Sequence, residues 1–177
     1  MLQKTDPGEQ NTSLTPNPID PAVRIGHVHL KVADLERALR FYCGVLGFEL
    51  MQRRTQAAFI SAGGYHHHIG LNTWESLNGP PPPEGTTGLY HLAILYPTRA
   101  KLADALRRLI EANIPLDGAS DHGVSEALYL RDPDNNGVEL YCDRPKELWP
   151  RTPGGDLKMI TERLDLRDLL RAAEPKA

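Results

Sequence analysis

Two segments of this chain alternate apolar and polar positions in the same way. In Ile25-Gly-His-Val-His-Leu-Lys-Val32, His27 alternates with Val28 and Leu30; in Leu89-Tyr-His-Leu-Ala-Ile-Leu95, His91 alternates with Leu92 and Ile94. That period of two predicts strands. Each gives way to a helix start seven residues after its histidine: Asp34 can cap Leu35–Leu46, and Thr98 can cap Arg99–Ala112. Leu35, Ala38, Leu39 and Tyr42 fall on one helical face, as do Leu102, Leu106, Leu109 and Ile110. Short strand-like runs follow each helix: Phe48–Arg53, Ala57–Ser61 and His67–Asn72 in the first copy, Ala127–Leu130 and Val138–Cys142 in the second. The strand directly after the second helix is weakly marked and falls near Leu116–Ser120. One strand–helix–three-strand unit is therefore written twice, about 64 residues apart.

The stretch from His122 to Glu139 carries the densest chemistry. Asp132 to Gly137 (DPDNNG) is rich in turn formers and is flanked by short strands, so a histidine, a tyrosine and a glutamate share one hairpin-like unit. Alternation sends Glu139 to the face opposite Val138 and Leu140. A lone carboxylate is costly to bury unless a cation or metal accompanies it, and His27 and His91 are the further ligands that the repeats supply. Taken singly, each strand histidine reads more readily as a hydrogen-bonded polar group than as a ligand. His29 shares the face of His27 and competes with it for the role.

Composition narrows the classes. With 177 residues, 40% of them hydrophobic, the chain can bury one core. A net charge of −3 and a pI near 6.2 leave no basic stripe for nucleic acid. No apolar run approaches the roughly 20 residues of a membrane span, and the polar start lacks a signal-peptide core, so the expectation is a cytoplasmic protein. Cys43 and Cys142 lack metal-type spacing and read as two reduced thiols. Residues 1–22, polar and Pro/Asn-rich, read as a flexible arm, and residues 23–143 as the domain, with repeats at about 24–74 and 89–143. Thr73–Gly88 with its Pro80–Pro83 run reads as a stiff connection. Residues 144–177 form an extension with a short helix near Leu164–Ala172, whose Leu166, Leu169 and Leu170 need a surface to dock on.

The words Asp34-Leu-Glu-Arg-Ala-Leu-Arg-Phe-Tyr42 and Leu46-Gly-Phe48, set in the doubled pattern, resemble the vicinal oxygen chelate superfamily of glyoxalase I, bleomycin-resistance proteins and extradiol dioxygenases. The resemblance covers roughly residues 24–143. His122 through Glu139 resembles the extradiol dioxygenase signature, with Ser120 and Asn135 as departures and Gly137 as a substitute source of turn flexibility. Gly64–Trp74 and Asp121–Tyr129 look like catechol 2,3-dioxygenase-like proteins, which often carry a second, similar domain. The resemblance implies an α+β fold: a single domain of two βαβββ repeats forming a curved mixed sheet of eight strands around a metal-binding cup, with two helices outside. It also implies a metal site on His27, His91 and Glu139. Three ligands on one face suit Fe(II), with Mn(II) or another divalent metal as substitutes. The implied partners are a small aromatic diol and dioxygen, in aromatic catabolism, and a homodimer or higher homo-oligomer.

The same resemblance gives acid–base roles to His67, His122 and Tyr129. Imidazole and phenol groups can move the protons that ring opening needs. Strand parity is at odds with His67, because it sends His68 and Gly70 to the cavity face unless a bulge or the strand's start intervenes. Gly70 stands where, by resemblance, glyoxalase I has a fourth, carboxylate ligand. A glycine there opens a coordination edge and leaves room for a substrate ring. Two other readings stay open: a glyoxalase-like metal-dependent lyase or isomerase, and a metal-free drug-binding protein of the same fold.

Overall fold

The computed structural model describes residues 18–173. Most of the expected N-terminal arm lies outside the described residues. The first repeat runs β1 (Val28–Lys31), α1 (Leu35–Leu39), β2 (Glu49–Arg53), β3 (Ala57–Ser61) and β4 (Ile69–Asn72). The second runs β5 (Leu92–Leu95), α2 (Arg99–Glu111), β6 (Leu116–Asp121), β7 (Ser125–Arg131) and β8 (Gly137–Asp143). A two-residue strand β9 (Glu162–Arg163) and a helix α3 (Leu166–Arg171) complete the described elements.

The fold is α+β, with two mixed sheets in place of the one curved sheet expected. The first has the order β1-β4-β3-β2, and the second β5-β8-β7-β6-β9, so the described strands number nine and not eight. In each repeat the first strand lies parallel to the last, β1 along β4 and β5 along β8, and the remaining pairs are antiparallel. β1 and β5 are therefore both edge strands.

Capping proceeds as the sequence predicts: Asp34 accepts from Arg37 N and Thr98 accepts from Lys101 N. The first helix differs from the expected Leu35–Leu46 in kind. After Leu39 it widens into a π-helical turn over Arg40–Val45, closed by Leu46 N–H donating to Phe41 O at 3.0 Å. The extra residue per turn lets Phe41, Tyr42 and Leu46 all reach the core. In α2, Leu102, Leu106 and Leu109 are buried, but Ile110 is 55% exposed because its position falls past the edge of the packed stripe.

One apolar cluster joins both repeats, drawing Leu30, Tyr42 and Leu71 from the first and Leu106, Leu128 and Leu140 from the second. Polar links cross the same boundary. Tyr42 donates to Asp132 at 3.0 Å, Ala33 N to Asp134 at 2.9 Å, and the Arg37 guanidinium to Asp134 at 2.6 Å. The C-terminal segment docks as its leucines require: Leu164 and Leu169 are buried, and the Arg99 guanidinium bridges Glu126 of β7 and Asp168 of α3.

Candidate metal centre

Glu139 sits in β8 between Val138 and Leu140, both buried on the helix side, and its side chain projects to the opposite face, half-buried. Its register partner on β7 is Tyr129. His91 lies one residue ahead of β5, and its approach depends on Gly137: a Cβ there would stand 2.1 Å from Tyr90 O and 3.1 Å from the His91 Cα. Gly137 thus allows backbone to meet backbone and is not the source of turn flexibility that its place suggests. The left-handed turn position is taken by Asn135 at φ 66, a conformation asparagine tolerates better than most residues.

Four side chains form a continuous polar chain on this half. His91 Nε2 stands 2.9 Å from Glu139 Oε2, the Tyr129 hydroxyl 3.2 Å from Glu139 Oε1, and His122 Nε2 2.8 Å from the Tyr129 hydroxyl. Burial, then the Glu139 charge, push the Tyr129 phenol up to about 12, so it stays protonated and available as a donor. An imidazole lone pair and a carboxylate oxygen cannot face each other at 2.9 Å without a positive species between them, whether a proton or a metal ion. Two donor atoms bound at right angles to one ion, each about 2.0–2.2 Å away, stand about 3 Å apart, which this pair fits. The other ring nitrogen, His91 Nδ1, is buried without a hydrogen-bond partner. A cavity of about 230 Å³ opens beside the pair, lined by Tyr90, His91, Tyr129 and Arg131 among others. That is below the roughly 300–1,000 Å³ of a complete ligand pocket. A larger concavity of about 710 Å³ between β6 and the C-terminal segment contains none of the histidines.

The third expected ligand is elsewhere. His27 is exposed and its ring lies tilted against that of His67, with centroids 4.4 Å apart. Among the described residues no three His, Cys, Asp or Glu side chains converge to hold an ion. The structure thus brings His91 and Glu139 together, with Tyr129 and His122 behind them, and places His27 with His67 on the first repeat. His67 precedes β4, which begins at Ile69, so strand parity does not govern it; its ring packs 5.1 Å from Phe59. Partial burial, then neighbouring His27, lower the His67 pKa from its ordinary value. His68 turns instead to Ser61, Nδ1 to Oγ at 2.9 Å. The room expected over Gly70 is filled by His29: a Cβ on Gly70 would meet three atoms of that imidazole at 3.0 Å.

Sequence reasoning missed one partner of the site. The Ile160 carbonyl lies 2.9 Å from His122 Nδ1. A main-chain carbonyl has no residue-type signature, so no motif could have pointed to it.

Known proteins resemble this chain in sequence and in fold. Over 150 residues, 84% of this chain, it is 45% identical to the catechol-2,3-dioxygenase of Bacillus subtilis, spanning 52% of that protein. It is 32% identical over 120 residues to biphenyl-2,3-diol 1,2-dioxygenase 3 of Rhodococcus globerulus, 68% of this chain and 63% of that one. The chain thus spans between half and two thirds of the length of these two relatives. Among solved structures, the lactoylglutathione lyase of Agrobacterium tumefaciens aligns with a TM-score of 0.55 at 25% identity, covering 70% of this chain and 96% of that one. The family model described as Glyoxalase/Bleomycin resistance protein/Dioxygenase superfamily matches residues 24–140, nearly all of both repeats and the whole His122–Glu139 unit, and the chain belongs to that superfamily.

Proposed function

We propose that this protein is a metal-dependent, extradiol-type ring-cleaving dioxygenase acting on a catecholic substrate, with residues 23–143 as the metal-binding domain and residues 144–177 as an extension. The observation that carries the reading is the unbroken chain His122–Tyr129–Glu139–His91, in which an acid–base pair adjoins a donor pair spaced for one ion. The 45% identity to a protein named catechol-2,3-dioxygenase supports it. His27, His91 and Glu139 would hold the ion, Fe(II) in preference to Mn(II). When bound, such a metal supplies open positions where a vicinal diol and dioxygen meet, and the redox capacity to join them. Tyr129, still protonated, donates to a substrate oxygen; His122 takes up the proton that a substrate hydroxyl releases. His67, its pKa lowered, is a neutral base on the opposite half.

A second copy of the chain is the proposed source of the missing ligand, which makes the protein a homodimer or higher oligomer. β1 and β5 each present an open edge, and the residues leading into them are exposed and apolar, Ile25 at 96% and Tyr90 at 82%. Open edges flanked by apolar side chains call for pairing. Joining β1 of one copy to β5 of another would bring His27 and His67 to the His91–Glu139 half and enlarge the small cavity there. Free Cys43 and Cys142 suit a reducing, cytoplasmic setting. No helix among the described residues is long and apolar enough to cross a membrane.

The test is bound metal in anaerobically purified protein, followed by oxygen uptake with a panel of catechols. The expected result is a divalent metal and oxygen-dependent formation of a yellow semialdehyde-type product. Metal-loaded protein that binds catechols without consuming oxygen would overturn ring cleavage. It would leave the lyase or isomerase reading, which the likeness to a lactoylglutathione lyase favours.

A further inference from the structure

The C-terminal segment lies beyond the family match, which ends at residue 140, yet it touches the candidate site. After β8 the chain turns through Pro150 and returns along the edge of β6. Lys158 N donates to Pro150 O at 2.8 Å, Ile160 N to His122 O at 3.2 Å, and Leu164 N to Ala119 O at 3.4 Å. β9 then pairs with Ser120 and Asp121, and buried Leu164 and Leu169 anchor the path into α3. Gly123 makes the close approach possible: at φ +74, a Cβ there would stand 2.7 Å from Pro150 Cγ and 3.2 Å from Ile160 Cγ1. The return path sets the Ile160 carbonyl 2.9 Å from His122 Nδ1, with Thr161 Oγ1 at 3.4 Å.

A carbonyl oxygen has no proton to give, so this contact is a hydrogen bond only when His122 carries its proton on Nδ1. In the neutral ring, that leaves the Nε2 lone pair facing the Tyr129 hydroxyl at 2.8 Å. Tyr129 has one proton and two acceptors, His122 Nε2 and Glu139 Oε1 at 3.2 Å. With Nε2 unprotonated, the phenol can donate to the nearer histidine, which leaves Glu139 Oε1 free for a cation. In the opposite tautomer, Nε2–H would donate to the Tyr129 oxygen and turn the phenol proton onto Glu139. It would also leave His122 with no lone pair on the substrate side.

We infer that the Ile160 carbonyl fixes His122 as its Nδ1–H tautomer, making the C-terminal segment a positioning element that aims a basic Nε2 at Tyr129. The catalytic use of that nitrogen rests on the proposed dioxygenase reading; the tautomer itself does not.

The experiment is nitrogen-15 NMR of the imidazole rings in the full chain, at a pH high enough that the His122 signals no longer change. Its coupling pattern distinguishes the two tautomers without metal or substrate. The expected result is Nδ1–H at His122 in the parent, with a through-hydrogen-bond coupling to the carbonyl carbon of labelled Ile160. Ile160→Pro deletes the N–H that tethers the strand to His122 O, and Gly123→Ala pushes Pro150 and Ile160 away. Either, when folded, should shift His122 toward Nε2–H and lower metal affinity about tenfold, as loss of an outer partner does. An Nε2–H tautomer in the parent overturns the inference, as does unchanged Nδ1–H in a folded variant that has lost the Ile160 coupling. Should neither variant fold, the parent's tautomer and coupling still decide. Failure of the parent to bind metal or consume oxygen would sink the dioxygenase reading alone.

Discussion

The Tyr42 hydroxyl, on the π-helical turn of the first repeat, donates to Asp132 at 3.0 Å in the turn between β7 and β8 of the second. Both residues are buried, and Asp132 also accepts from Asp134 N, Asn136 N and Asn136 Nδ2, each at 2.9 Å. One carboxylate thereby organises the turn that leads into Glu139 and ties it to the other half of the molecule.

Tyr42→Phe removes that tie without changing volume and should cost about 1–3 kcal/mol, read from urea unfolding. A pH dependence accompanies it. Burial, then the Asp132 charge, hold the Tyr42 phenol far above its ordinary value in the fold, whereas the unfolded chain releases the proton near pH 10. Above about pH 10 the folded state therefore binds more protons than the unfolded one, and stability falls as pH rises. Burial raises Tyr129 too, which acts in the same direction. The slope of stability between about pH 9 and 11 should be shallower in Tyr42→Phe than in the parent. Equal slopes would show that the phenol does not titrate differently in the fold.

Glu139→Gln should fold normally and lose metal affinity by about 100-fold or more, since a neutral amide cannot balance a divalent cation. Equilibrium dialysis against the metal measures this. Equal occupancy in variant and parent would count decisively against Glu139 as a ligand.

Tyr129→Phe deletes one hydroxyl between His122 and Glu139. Metal content should be retained while turnover falls by about 10²–10⁴-fold, the range for removing an acid–base group. A variant that turns over at the parent rate would remove Tyr129 from the chemistry and leave it a packing residue of β7.

If the site is shared between copies, His27→Ala and Glu139→Gln are each inactive alone but complement each other. Co-refolded in equal amounts, half of the dimers are mixed and each of these carries one intact site, so about one quarter of parent activity should return. No recovery in a demonstrably mixed dimer would place all three ligands within one chain.

Gly70→Ala inserts a Cβ at 3.0 Å from the His29 ring. The imidazole must swing away, and the strain should cost about 1–3 kcal/mol of stability. Metal affinity should not change, because His29 is not a proposed ligand. A fall comparable to that of Glu139→Gln would make His29 the ligand in place of His27.

Much of this architecture is legible in local pattern. Alternation around His27 and His91, the caps at Asp34 and Thr98, and the turn formers of Asp132–Gly137 each depend on neighbours a few residues away. The repeats and their element order therefore follow from the sequence alone, as does the parity of Glu139: β8 has one face on the core, and a register slip would bury the charge. Features that depend on residues distant in the chain could not be read this way. The π-helical widening follows from the need to bury Phe41, Tyr42 and Leu46 together, and the filling of the space over Gly70 from where the His29 ring packs. Gly137 is glycine because the Tyr90 backbone crosses it, and Ile160 reaches His122 through an atom common to every residue. The separation of His27 from His91 and Glu139 belongs to the same class. Two strands with the same pattern put one histidine at matching places in the two repeats, but that both strands are edges, and what each edge meets, is decided by how the whole surfaces pack.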